Sequence, residues 1–266
     1  MTRLAYYATV PATSAWSAAW ENEDPHALAR GLRHGFLERL VRAALPPPIV
    51  AGRVLDAGCG VGAWVSLLRY YGYDAEGADN NPMAVRQAQR AGLPVYTSPL
   101  EWLPDATGSV GVYLSLGVVE HDVRGPHRWL WEAARVLRPG GLLILSVPYQ
   151  NWLRRFAAPW LSWWQRRRRL AGWSFYQYTF SQRDVVLEVE SAGFAVSSCH
   201  PYGPTKMFRV CLSARRRAAV DRATALGHQS RLRRLIKRCL YTPLGLRCCG
   251  HMLLVVATRR APEDAS

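Results

Sequence analysis

The stretch "VLDAGCGVGAW", Val54 to Trp64, places three glycines in five positions directly after a short apolar run. "RVLDAG" reads as a buried strand, and "AWVSLLRYYG" as a helix ended by Gly72. Glycine has no Cβ, so the turn between them can be tight and can offer bare backbone to something that approaches closely. The start of the helix adds N–H groups with no partner in the helix. Strand, glycine-rich turn and helix in this order form one unit of an α/β fold.

The same alternation continues outward. "DAEGAD" is a second short strand, and "NPMAVRQAQRAG" a helix with Pro82 in its first turn and Gly92 at its end. "PVYTS", "SVGVYLSLG" and "GLLILSVP" read as the third, fourth and fifth strands, with the helix "HRWLWEAARVLRPGG" before the fifth. "SQRDVVLEVESAG" is helical with Ser181 as its N-cap, and "FAVSSC" and "HMLLVVATR" are the last strands. Upstream, residues 24–45 carry Leu28, Leu32, Phe36, Leu40 and Val41 at helical spacing, and "PPPIVAG" breaks that helix. Alternating strands and helices predict a mostly parallel sheet covered on both faces, in a single domain over 1–266.

The chain is 49% hydrophobic and 20% charged, the balance of a globular protein with a sizeable core. Its net charge of +15 is unevenly spread. Residues 1–150 hold 13 basic and 13 acidic side chains, and residues 151–260 hold 21 basic and 4 acidic ones. A neutral front and a basic back point to an anionic partner for the back half, or to solubility in an arginine-rich composition. Six cysteines show no CxxC pair and no zinc spacing, which suits a reducing compartment. The first twenty residues are too polar for a signal peptide, and no apolar run reaches the roughly 18 residues of a membrane span. The expected location is cytoplasmic, with peripheral membrane association as an extension. The sequence carries no signature of oligomeric state.

Gly58 to Ala63 satisfy G-x-G-x-x-G/A, and Asp79 follows at the end of the next strand, where a ribose-binding carboxylate belongs. By itself this pattern fits NAD as well as S-adenosylmethionine. Asp56, two residues before the first glycine, favours the second, because a carboxylate there can meet a cationic amino-acid group. Four stretches in order, "VLDAGCGVG", "GADNNPMAVRQAQ", "SVGVYLSLGVVEH" and "RVLRPGGLLILSVP", cover roughly residues 50–150. In them the chain resembles the class I S-adenosylmethionine-dependent methyltransferases, in particular the small-molecule methyltransferase-domain group. The resemblance implies a Rossmann-like seven-stranded sheet with an antiparallel last strand. It implies that Asp56, Gly58, Cys59, Gly60 and Gly62 line the methionine end of S-adenosylmethionine. It further implies that Asp79 takes the ribose hydroxyls, that Asn80 lies beside the adenine, and that Leu116 and Gly117 line the cofactor. "RPGG" (138–141) corresponds to a structural turn into the fifth strand.

Two positions depart from the family pattern. The acid that meets the adenine amino group falls at Pro99, with Leu100 and Glu101 as the substitute neighbours. The "FD" before the fourth strand is Val110 and Gly111. A sulfonium methyl is already electrophilic, so the protein must align the acceptor, exclude water and, for a hydroxyl acceptor, supply a base. His121 in "VVEH" is the candidate base, its alternative role being packing at a helix start. Some quinone-pathway O-methyltransferases hold a metal with E-x-x-E-H. The first position here is Gly117, which leaves Glu120 and His121, and no metal is expected.

Beyond the N-terminal helical segment (1–49) and the cofactor-binding core (50–150), two basic insertions stand out, at 151–180 and 200–250. Both follow strand ends at the ligand-binding edge of such a sheet, which makes them lids over the site. Tyr149, Trp152, Tyr176, Tyr178 and His200 are the acceptor-side candidates. In the first insertion Trp152, Phe156, Trp160 and Trp163 or Trp164 recur at helical steps before Arg166 to Arg169, although Pro159 interrupts a single helix. That composition suits a packed lid or an interfacial membrane segment. The expected activity is methyl transfer to a small-molecule or lipid-like acceptor, apolar or aromatic with negative charge nearby. RNA methylation rests on net charge alone and ranks lower. A non-catalytic cofactor-binding module is the remaining alternative, motivated by Pro99 and Gly111.

Overall fold

The computed structural model describes residues 3–9, 20, 23–205 and 238–261. The first element is a strand, β1 (Leu4–Ala8), followed by α1 (Pro25–Leu32) and α2 (Phe36–Ala44). The segment 1–49 is therefore not wholly helical, and the helix expected over 24–45 is two. The break falls at His34, whose φ of 63° is left-handed, and at Gly35, whose N–H donates to the carbonyl of Leu32. After a short α3 (Pro48–Ala51) come β2 (Val54–Ala57), α4 (Ala63–Tyr70), β3 (Ala75–Asp79), α5 (Pro82–Arg90) and β4 (Val95–Thr97). Asn81 caps α5, its side chain accepting from the amides of Met83 and Ala84. The chain continues through β5 (Val110–Leu116), a 3₁₀ turn over Val119–His121, α6 (His127–Val136) and β6 (Leu137–Pro148). The "RPGG" stretch belongs to this bulged strand rather than to a turn before it, with Val110 paired to Leu137 and Val112 to Leu142.

The first insertion folds as α7 (Trp152–Phe156), α8 (Ala158–Leu170) and β7 (Ser174–Thr179). Pro159 sits in the first turn of α8, where its missing N–H costs nothing. Then follow α9 (Gln182–Ser191), capped by Ser181, β8 (Phe194–Tyr202), α10 (Pro243–Cys249) and β9 (Met252–Arg259). Strand β8 runs past Cys199 to Tyr202, so the second insertion begins after it. Most of that insertion lies outside the described residues, as does Cys211.

Seven strands form the main sheet in the order β4-β3-β2-β5-β6-β9-β8. The pairs from β4 through β6 are parallel, and β9 runs antiparallel to both β6 and β8. Side chains alternate between two buried faces, as a parallel sheet covered on both sides requires. Leu55, Tyr113, Leu143 and Leu145 share one core with Leu130, Val136, Val185 and Val189 of α6 and α9. Val54, Val112, Leu114 and Ile144 share the other with Val41 of α2 and Leu68 of α4. The order reverses at β2 and β5, and ligands bind beyond the strand ends at such a switch.

A second sheet pairs β1 with β7, antiparallel, from Leu4↔Thr179 to Ala8↔Ser174. It is hooked to the main sheet where the Phe180 amide donates to the carbonyl of Pro148 at 2.9 Å and Gln150 donates to that of Phe180 at 2.7 Å. Arg3 pairs with the buried Glu188 of α9, which also meets His127 Nδ1 at 2.7 Å. Helix α8 packs on β1, and β7 packs on the 3₁₀ turn at the exit of β5. This two-stranded sheet and the helices thus form a cap at the exit of β5.

Candidate functional site

Asp56, the glycine loop and Asp79 meet at the carboxyl ends of β2 and β3. Gly58 and Gly60 have φ of 83° and 55°, a region that favours glycine. A Cβ on Gly58 would run into the methyl groups of Val118, and one on Gly60 would stand 3.2 Å from the indole of Trp20. Asp79 is held by the loop it faces: its Oδ2 accepts from the Gly60 amide and its Oδ1 from the Asn81 amide, each at 2.8 Å. Burial raises its pKa, against the lowering by those hydrogen bonds. Asp56 is 3% exposed, and its Oδ2 has no hydrogen-bond partner. Burial, and then the neighbouring Asp79, push its carboxyl up to about 8.

A buried carboxylate oxygen with no partner is costly unless something polar arrives to meet it. Together with bare loop backbone and a second acid one strand away, it fits the amino-acid end and ribose of S-adenosylmethionine. Cys59 faces Gly77, and burial holds its thiol well above the usual range, so it packs rather than reacts. Asn80 is exposed beside Asp79. The Leu100 side chain is buried in the core, so only its backbone can serve a ligand. Glu101 pairs with Arg124 at 3.5 Å.

Gly111 has a packing explanation. A Cβ there would overlap the carbonyl oxygen of Ala51, where α3 crosses the start of β5. This departure from the family pattern admits a helix and touches no reacting group.

At the exit of β5, Leu116 is half-buried, and the Gly117 amide donates to the Ser146 carbonyl at 3.0 Å. Glu120 and His121 follow. His121 Nδ1 lies 2.7 Å from the carbonyl oxygen of Tyr176, and the two rings meet edge to face at 5.3 Å. A carbonyl only accepts, so the proton sits on Nδ1 and Nε2 carries the lone pair. Burial lowers the pKa of His121, which is neutral at pH 7. Glu120 is 2% exposed, its Oε2 is unpartnered, and its carboxyl lies against Gly117. Burial pushes it up to about 8. The Tyr176 phenol is also raised, by burial and then by Glu120.

The acceptor-side candidates divide. Tyr176 joins His121, and Tyr178 braces the cap, its hydroxyl donating to the Val123 carbonyl at 2.9 Å. Tyr149 and Trp152 line a separate groove beyond β6. His200 stands exposed on the outermost strand, 3.1 Å from Ser198 Oγ, and is not brought to His121. Two residues were missed by sequence reasoning. Trp20 lies in a stretch without periodicity, which carries no sequence signal of its approach to Gly60. Glu120 was weighed as a metal ligand, but its signal as a buried, unpaired acid depends on packing. Among the described residues no group of three His, Cys, Asp or Glu side chains could hold a metal.

Residues 29–198 match the family described as "Methyltransferase domain". An uncharacterized methyltransferase of Mycolicibacterium gilvum is 42% identical over 108 residues, covering 39% of this chain and 41% of that protein. The ubiquinone biosynthesis O-methyltransferase of Cereibacter sphaeroides strain ATCC 17025 is 35% identical over 112 residues, covering 40% and 45%. The chain thus spans less than half the length of these curated relatives. In the solved complex between the Haloferax volcanii Trm112 methyltransferase activator and a methyltransferase, one chain shares the fold. Its TM-score is 0.60 and its identity 17%, over 95% of this chain and 98% of that one.

Proposed function

The chain belongs to the methyltransferase-domain family of class I S-adenosylmethionine-dependent enzymes, and on that premise we propose that it methylates a small, apolar or aromatic acceptor, lipid-like and with negative charge nearby. Bound S-adenosylmethionine supplies an electrophilic methyl group. Asp56 would hold its ammonium group and Asp79 its ribose hydroxyls, with the glycine loop allowing close approach. The observation that carries the reading is the neutral His121, oriented by the Tyr176 carbonyl at the exit of β5. Its Nε2 accepts the proton of an acceptor hydroxyl as that oxygen is alkylated. Glu120 is largely protonated at pH 7, so it adds a hydrogen-bond donor rather than a second charge to a dry site. Tyr176 supplies an aromatic wall, and the cap of β1, β7 and α8 excludes water.

The test is transfer of labelled methyl from S-adenosylmethionine to prenylated or long-chain hydroxy-aromatic acids. Label in the organic phase, lost on His121→Ala, is the expected result. Asp79→Ala should raise the Kd for S-adenosylmethionine about tenfold or more through loss of charge-assisted hydrogen bonds. Binding of S-adenosylmethionine with no transfer to any such acceptor would defeat the acceptor reading. Unchanged binding by Asp79→Ala would defeat the cofactor-site assignment.

A further inference from the structure

The outer face of α7 and α8 exposes its largest apolar side chains to solvent. Phe156 is 91% exposed, Leu170 79%, Trp160 61%, and Trp152 and Trp163 49% each. Their exposure does not come from loose packing beneath. Gln165, on the inner side of α8, is buried and accepts the Tyr7 amide at 2.9 Å. Arg154 is buried under α7 and donates to the Tyr149 carbonyl at 2.6 Å. The helices are pinned from within, and the aromatic residues point the other way.

These aromatic residues are also ordered among themselves. Trp164 stands edge to face with both Trp160 and Trp163, at 6.1 and 6.0 Å, and the Arg167 guanidinium lies 4.3 Å over the Trp163 ring. Residues 151–180 contain six arginines and no carboxylate. Arg155, Arg166, Arg167 and Arg169 are exposed on the same two helices. Beside them runs a groove of about 1080 Å³, lined by Trp152, Leu187, Arg155, Arg183 and Arg247, with Asp184 engaged by Ser181 at its edge.

We propose that the α7–α8 face docks the enzyme on an anionic lipid bilayer, with Phe156 and the tryptophans in the headgroup layer and the groove arginines on lipid phosphates. Tryptophan and arginine side by side suit that boundary, where an amphipathic ring has one wet and one apolar neighbour and a guanidinium finds phosphate. No helix among the described residues is long and apolar enough to cross a membrane, so the contact is interfacial. The cap that carries this face also holds His121 through Tyr176, so docking sets the acceptor side of the site against the bilayer. Only this last consequence rests on the proposed function.

The test is co-sedimentation of the full chain with vesicles of phosphatidylcholine alone and with 30% phosphatidylglycerol. The expected result is about tenfold or stronger binding to the anionic vesicles, with a blue shift in tryptophan fluorescence. Phe156→Ser with Trp160→Ser should lose about tenfold of it while S-adenosylmethionine affinity and melting temperature hold. If that pair destabilises the fold, Phe156→Ser alone, at the most exposed position, should still weaken binding. Glycerophosphate at millimolar concentration should not displace the protein. Displacement by it would mean a soluble phosphate ligand and would overturn the proposal. Equal binding by wild type and variants, equal binding to neutral vesicles, or retention on RNA but not on vesicles would also overturn it. Because the assay contains no acceptor, its failure is distinct from a failure of methyl transfer.

Discussion

His121 Nδ1 meets the backbone carbonyl of Tyr176 at 2.7 Å, so a strand of the cap fixes the tautomer of a side chain at the exit of the catalytic sheet. The imidazole is neutral at pH 7 because burial disfavours its charged form. Activity should therefore hold at neutral pH and fall on acidification through a pKa below the ordinary histidine value, and fall again near pH 8 as Glu120 loses its proton. His121→Ala should lower kcat by about 10²- to 10⁴-fold with S-adenosylmethionine affinity unchanged. A pH–rate profile and a calorimetric titration check both, and a variant that keeps the wild-type acid limb would remove His121 from the chemistry.

Asp56 should report cofactor binding by giving up a proton. With its carboxyl pushed up to about 8, it is mostly protonated at pH 7 in the free protein. A cationic group at its unpartnered oxygen favours the ionised form and pulls that pKa down. Binding at pH 7 should release up to about one proton, seen as a dependence of the binding enthalpy on buffer ionisation. Asp56→Asn should abolish the release and weaken binding.

Two buried acids give the free protein an unusual pH profile. Asp56 and Glu120 both titrate near 8 when folded, against ordinary values near 4 when unfolded. The folded state holds their protons more tightly, so their contribution is fully present below about pH 4 and is lost as pH rises through about 8. Thermal melting should fall between pH 5 and 8 and level off above. The double variant Asp56→Asn, Glu120→Gln should flatten that slope. An unchanged slope would mean that neither acid is proton-bound in the folded protein.

Gly111→Ala should cost stability and spare binding. The added methyl overlaps the Ala51 carbonyl, and overpacking of this kind costs about 1–3 kcal/mol in urea unfolding. A loss of S-adenosylmethionine affinity in a fully folded variant would show that the position has a role beyond packing.

The parallel core was legible because its signals are local. Gly58, Asp79 and the helix that Asn81 caps each follow from a few neighbouring residues, and four such units in order define the sheet. The cap was read less well because it is assembled from distant pieces. Nothing in "LAYYA" announces a partner at "SFYQYT", and a two-stranded pairing with many half-buried positions leaves little alternation to read. The break at His34 was hidden because apolar residues keep helical spacing on both sides of it. The role of Gly111 required knowing where Ala51 would lie.

The pairing of Leu4 with Thr179 also bears on how the protein is made. Strand β7 leaves the ribosome more than 160 positions after its partner β1, about ten to thirty seconds at ordinary elongation rates. Until then the β1 edge is unpaired and needs shielding. The strand that orients His121 is completed only with that late closure, and β8 and β9 of the main sheet follow later still. A fusion or cut that disturbs residues 3–9 should leave β7 without its partner and loosen the carbonyl that orients His121, while the parallel strands β2 to β6 still pair.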